Sequence, residues 1–159
     1  MTKNRLLDLK NLKFELRDIM RYDDVGDYFG NTIVAYDFKD DIVNNAIFLH
    51  EFIEYTLIKS AGIDPAMIDQ FDTDDTAKEK FPKEYALYTK FHAMANVIEK
   101  QFVENLGISW SEHDKKIYSA NVQVAQSEVQ KISDELHKKD PSEEEIQKSK
   151  RIIKENMEE

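Results

Sequence analysis

Apolar side chains crowd one stretch of this chain more than any other. Between residues 41 and 60 they include Ile42, Val43, Ala46, Ile47, Phe48, Leu49, Phe52, Ile53, Leu57 and Ile58. Wound at 3.6 residues per turn, they cover most of the circumference, which predicts a central, buried helix. Asp40–Asp41 put acids at its positive end and Gly62 stops it, so the helix should run from about Asp41 to Ser60.

Before it the pattern changes. Gly26 and Gly30–Asn31 are turn signals around two β-prone runs, Tyr28–Phe29 and Thr32–Phe38. They predict a hairpin or a small antiparallel sheet near residues 25–38. Residues 4–20 begin with helical spacing and continue as an alternation, so both assignments stay open. After the central helix, "DPAMIDQFD" reads as a short helical turn with Pro65 just inside its start. "TDDTAKEKFP" reads as a polar loop. A second long helix follows, from about Lys83 to Leu106, with Tyr88, Phe91, Ala95, Ile98, Phe102 and Leu106 as its core face and Gly107 as its stop. "SWSEHDKKI" opens a third helix, capped by Ser109 or Ser111.

Past Tyr118 only a thin stripe remains, Val122, Ala125, Val129, Ile132 and Leu136. Asp140–Pro141–Ser142 breaks it before a charged helical segment over 142–157. The expected organisation is an α+β domain over 1–118, mostly α-helical, and a helical C-terminal extension over 119–159 suited to self-association or to binding a protein.

Composition narrows the chemistry. The chain has 159 residues and no cysteine, so any metal must be held by His, Asp or Glu. A net charge of -10 opposes binding to nucleic-acid phosphates or anionic membranes. No apolar run approaches the roughly 18–20 residues of a membrane span, and "MTKNRLLDLK" has no signal-peptide core. The expected setting is the cytoplasm, and the expected partner is a protein or peptide.

The central helix carries an anomaly. "FLHEFIEYTL" places His50, Glu51 and Glu54 where a buried helix should want hydrocarbon. His50 and Glu54 are i and i+4, one above the other on a single face. Glu51 lies about 100° round. The spacing is that of the zincin "HExxH" helix with Glu in place of the second His; there, two ligands hold zinc and the intervening Glu acts on the metal-bound water. The second long helix adds His92 and Glu99, two turns apart on one face, with the small Ala95 between them. Antiparallel packing of the two helices would let all four groups meet.

Two readings of these residues stay open. In one they bind a divalent metal; in the other His50 pairs with Glu54, and His92 with Glu99, as satisfied core polar groups. His113 and His137 sit among charges and read as solvated. Asp72, Asp74 and Asp75 lack the glycine and terminal Glu of a calcium loop and read as loop residues, with Asp72 held near the core by Phe71.

Taken in order, "RYDDVGDYF", "FLHEFIEYTL", "GIDPAMIDQFD" and "FHAMANVIEKQFVENLGISWSEHDKKI" resemble a family of small phage and prophage proteins with "RYDxxGDW", "HExxE", "DxFD" and "HxxAxxxE" segments. The resemblance covers residues 21–118. Tyr28 stands where that family has Trp, and Tyr55 where it has a small residue. The resemblance implies that His50, Glu51, Glu54, Asp72, His92 and Glu99 form one pattern, and it implies a bacterial-host cytoplasm. It implies no particular activity.

The residues support one leading expectation: a zincin-like metal-dependent hydrolase of a peptide or amide bond, or an inactive relative. His50, Glu54 and His92 would bind the metal, zinc by preference. Glu51 would be the general base. Glu99 would be a fourth ligand or would orient His92. The rival is a non-enzymatic interaction protein in which the His/Glu cluster is structural.

Overall fold

The computed structural model describes residues 9–124 and has an α+β architecture, mostly helical with a small three-stranded sheet and a separate two-stranded pairing. The hairpin forms as its turn signals require. Strands β3 (Gly26–Phe29) and β4 (Thr32–Tyr36) pair antiparallel, with Phe29 opposite Thr32, across the Gly30–Asn31 turn. Gly30 takes a φ of 57°, which costs a residue without Cβ little.

The ambiguous opening resolves as strand. After a short 3-10 turn at Leu9–Asn11, β1 (Lys13–Arg17) adds to the other side of β4 in parallel, Lys13 opposite Thr32 through Arg17 opposite Tyr36. The sheet is therefore mixed, in the order β1-β4-β3, and not the purely antiparallel one expected. Phe14 explains the choice: from β1 its ring meets Phe48 of the central helix edge-on at 5.5 Å. A second pairing joins β2 (Ile19–Met20) to β5 (Gln123–Val124). Gln123–Val124, which lie beyond the expected boundary at 118, thus pair with the body of the domain. The predicted helical segments over 125–159, and His137, lie outside the described residues.

Helix α1 (Asp41–Ser60) has the predicted limits, with the Asp40 carboxylate capping Ile42 and Val43 N–H groups and Gly62 at φ 77° beyond its end. It buries Val43 and Ile47 in a cluster with Ala35 of the sheet, and Tyr55 and Ile58 in a larger cluster with Tyr28, Ile33, Ile68, Phe71 and Phe91. Helix α2 (Pro65–Thr73) is capped by Asp64. The stretch expected to be a polar loop holds one helical turn, α3 (Ala77–Lys80), because Ala77 is fully buried and pins it to the core.

Helix α4 (Pro82–Asn105) ends before Gly107 at φ 82°. Its buried face is Phe91, Ala95, Glu99 and Val103, a strict i+4 row. Leu106, placed on the core face from sequence, is half exposed at 51%, while Ile98 and Phe102 are only partly buried. The large apolar residues flank the row and a carboxylate occupies it. Helix α5 (Trp110–Tyr118) starts at Ser109, whose hydroxyl and Glu112 form a capping box. No helix among the described residues is long and apolar enough to cross a membrane.

Candidate metal centre

Helices α1 and α4 cross antiparallel, as their side-chain pairs show. His50 meets Glu99, and one turn later Glu54 meets His92, so the numbering rises on one helix as it falls on the other. Ala95, fully buried, lets the helices approach there. His50, Glu54 and His92 each offer one ligand atom, and these atoms all lie within 4.8 Å of one another. Oε2 of Glu54 is 2.9 Å from Nδ1 of His92 and 3.6 Å from Nε2 of His50. With bonds near 2.0–2.1 Å, a tetrahedral ion keeps its ligand atoms roughly 3.3–3.4 Å apart. The observed separations bracket that spacing, and this group can hold a metal ion.

His50 is oriented from behind. Its Nδ1 lies 2.7 Å from Oε2 of Glu99, leaving Nε2 to face Glu54. Oε1 of Glu99 in turn lies 2.6 Å from Nε2 of His113. The resulting row, His113–Glu99–His50, resembles the carboxylate–histidine arrangement that fixes a ligating imidazole. Two expectations are corrected here. Glu99 bonds His50 and His113 rather than His92, and both of its oxygens are engaged, so it stands behind the centre. His113, expected in solvent, is completely buried. The capping box turns α5 back along α4 and brings His113, fourteen residues on, beneath Glu99. The signal for it was the helical spacing of His113 and Ile117 on one face of α5, which the surrounding charges masked.

Nδ1 of His113 is buried without a hydrogen-bond partner among the described residues. The ionised Glu99 carboxylate can only accept, so the Nε2 facing it carries the proton and donates it.

Electrostatics follow from the same contacts. Burial disfavours the His50 imidazolium, but the carboxylates of Glu54 and Glu99 outweigh it and raise His50 to about 11. Burial would raise Glu54, yet His50, His92 and the Tyr28 hydroxyl at 2.7 Å hold it down near about 2. Glu99 is likewise held below the usual carboxylate range by His113 and His50 against the effect of burial.

Glu51, the predicted base, lies one turn-position away and packs on strand β3. A Cβ on Gly26 would come within 2.6 Å of the Glu51 Cδ, so only glycine leaves this carboxyl its place. Burial, then the charge of Glu54, pushes Glu51 well above the usual carboxylate range. Glu51 lines a cavity of about 290 Å³ together with His50, His92, Asn96, Trp110 and Asp114. It also lines a smaller pocket on the side of Asp24 and Asp72.

Asp72 is not a loop residue. It sits in α2, with Phe71 buried beside it as expected, and Oδ1 accepts from the Tyr88 hydroxyl at 3.2 Å. Its residue is exposed at the rim, yet withdrawal of the carboxyl from bulk water, with Asp24 and Glu54 nearby, raises it to about 6. Sequence reading missed Asp27. It is 2% exposed on β3 and accepts two hydrogen bonds from Arg21, at 2.7 and 2.9 Å, and a third from Tyr22. The cue was a carboxylate in a β-prone run with an arginine six residues earlier.

Comparison with family models, with curated proteins and with solved structures finds no match to this chain.

Proposed function

We propose that the protein is a zincin-like, metal-dependent hydrolase acting on a peptide or amide bond. His50, Glu54 and His92 would hold zinc, and Glu51 would take the proton of a metal-bound water. The observation that carries the reading is the convergence of two imidazoles and a carboxylate from two helices within 4.8 Å, beside a cavity of about 290 Å³ that also contains a free-standing carboxyl. Zinc suits a cysteine-free N/O ligand set with an open position. It would polarise a carbonyl and make water a nucleophile at neutral pH. Glu51 fits the base because it borders the cluster and no hydrogen bond occupies it among the described residues. Strand β3 is an outer strand of the sheet beside this site, where an extended chain could lie.

A second reading has its own support. Glu54 accepts from Tyr28 and His92, and Glu99 pairs with His50 and His113, so the cluster also closes as a hydrogen-bonded network. In that reading the protein is a non-enzymatic phage or bacterial interaction protein. Elemental analysis of protein purified without chelator or affinity metal separates the two. About one zinc per chain, lost in His92→Ala, is expected for the hydrolase; no metal under zinc-replete growth would leave the network reading.

A further inference from the structure

Beside the metal centre lies a second pocket, of about 30 Å³, walled by carboxyl groups: Asp24, Asp27, Glu51, Glu54, Asp69 and Asp72. Two of these face a cationic side chain, Asp27 that of Arg21 and Glu54 that of His50. The other four have no ion pair with a basic side chain among the described residues. Asp24 accepts from the Val25 N–H and Asp72 from Tyr88, both neutral donors. Asp69 is the telling member. It is 3% exposed, and its Oδ2 is buried with no hydrogen-bond partner among the described residues. A buried carboxylate oxygen is costly to leave unpaired, so this oxygen calls for a donor.

We propose that this pocket receives a primary ammonium group, the α-ammonium of an amino-acid amide or of a peptide with an unblocked N-terminus. The inference rests on the metal-hydrolase reading and names its substrate class. Size limits the guest. About 30 Å³ accommodates one or two water-sized groups, enough for an ammonium and too little for a guanidinium. Chemistry agrees, because an ammonium brings three N–H donors and no acceptor, and ionised carboxylates are acceptors only. A second metal fits less well. Among the described residues the His50–Glu54–His92 set is the one group of three or more ligating side chains gathered within 4.8 Å, whereas an ammonium is held by two carboxylates at about 2.7–2.9 Å each. Position agrees too. Glu54 and His92 wall both the pocket and the metal centre. A nitrogen seated here would adjoin a carbonyl held at the metal site, as suits an α-nitrogen, two bonds from its carbonyl carbon. The net charge of -10 would assist capture of a cation.

The test uses the full zinc-loaded chain and two probes, L-leucine hydroxamate and its N-acetyl derivative, with affinity measured by calorimetry. The free amine should bind about tenfold or more tightly, the scale of a charge-assisted hydrogen bond, and Asp69→Asn with Asp72→Asn should close that gap. Asp72→Asn alone, at its exposed position, serves where the double variant fails to fold. Equal affinities in the wild type, or a gap that survives the substitutions, would overturn the proposal. So would two zinc ions per chain falling to one in Asp69→Asn, which would make the pocket a metal site. If the chain binds no zinc, the hydrolase reading fails separately. Amide NMR shifts of the metal-free chain then decide. A saturable response at Gly26 and Asp69 to leucinamide but not to N-acetyl-leucinamide keeps the ammonium site, and no response ends it. N-acetyl-lysinamide matching leucinamide would assign the ammonium to a lysine side chain instead of an α-nitrogen.

Discussion

Nδ1 of His50 lies 2.7 Å from Oε2 of Glu99, deep between α1 and α4. That contact turns the other imidazole nitrogen toward Glu54 and His92. Glu99→Gln keeps the shape but removes the charge that holds the ring. Metal affinity should fall about 10- to 100-fold, the usual scale for such a backing carboxylate, with stoichiometry unchanged. Competition with a chromophoric chelator measures this; an unaltered affinity would show that Glu99 does not position His50.

Glu51 and Gly26 give a paired test of the base. Glu51→Gln should leave folding and metal content intact and lower amide hydrolysis about 10²-fold or more. Gly26→Ala should act on the same carboxyl by collision, since a Cβ there overlaps it. The expected cost is about 1–3 kcal/mol of stability, read by urea denaturation, with turnover lost alongside. Loss of bound metal in Glu51→Gln would instead make Glu51 a ligand.

The pH response of the metal-free protein follows from His50 and Glu54. His50 is raised from 6.5 to about 11 in the fold, so its contribution is complete below about pH 6.5 and is lost as pH rises through 11. Glu54 is lowered from 4.5 to about 2, so its contribution is complete above about pH 4.5 and is lost as pH falls toward 2. Together the pair stabilises most between those limits. Denaturant melts in chelator should show stability declining on the alkaline side, and a His50→Gln variant should lack that decline.

Metal binding should reverse the alkaline trend. Zinc needs the neutral imidazole, so at pH 7 it must displace the His50 proton. Calorimetry in buffers of different ionisation enthalpy should find about one proton released per zinc. Zero release would mean that His50 is already neutral or does not bind the ion.

His113 should behave as a core residue despite its charged sequence neighbours. His113→Ala opens a cavity and strips a donor from the buried Glu99, so about 2–5 kcal/mol of stability should be lost. A melting temperature within a degree or two of wild type would place the histidine in solvent.

Local pattern determined a good deal. The crowding of apolar residues over 41–60, with Asp40 before and Gly62 after, set α1 to the residue. Gly30–Asn31 set the hairpin, and the i, i+4 spacing put His50 and Glu54 on one face. Those are consequences of backbone geometry within a few residues, and a sequence displays them. Tertiary packing decided what spacing cannot express. Residues 13–17 became a strand because β4 had a free edge for them, and Phe14 met Phe48 across the chain. The α4 face rotated onto the row that carries Glu99, because partners on α1 and α5 satisfy that carboxylate and no sequence neighbour does. His113 looked solvated among charges until α5 folded back and supplied its acceptor. The carboxyl pocket gathers β3, α1 and α2. Its charge density exists only where those elements meet, because electrostatic interaction depends on distance in space, which the order of residues along the chain does not record.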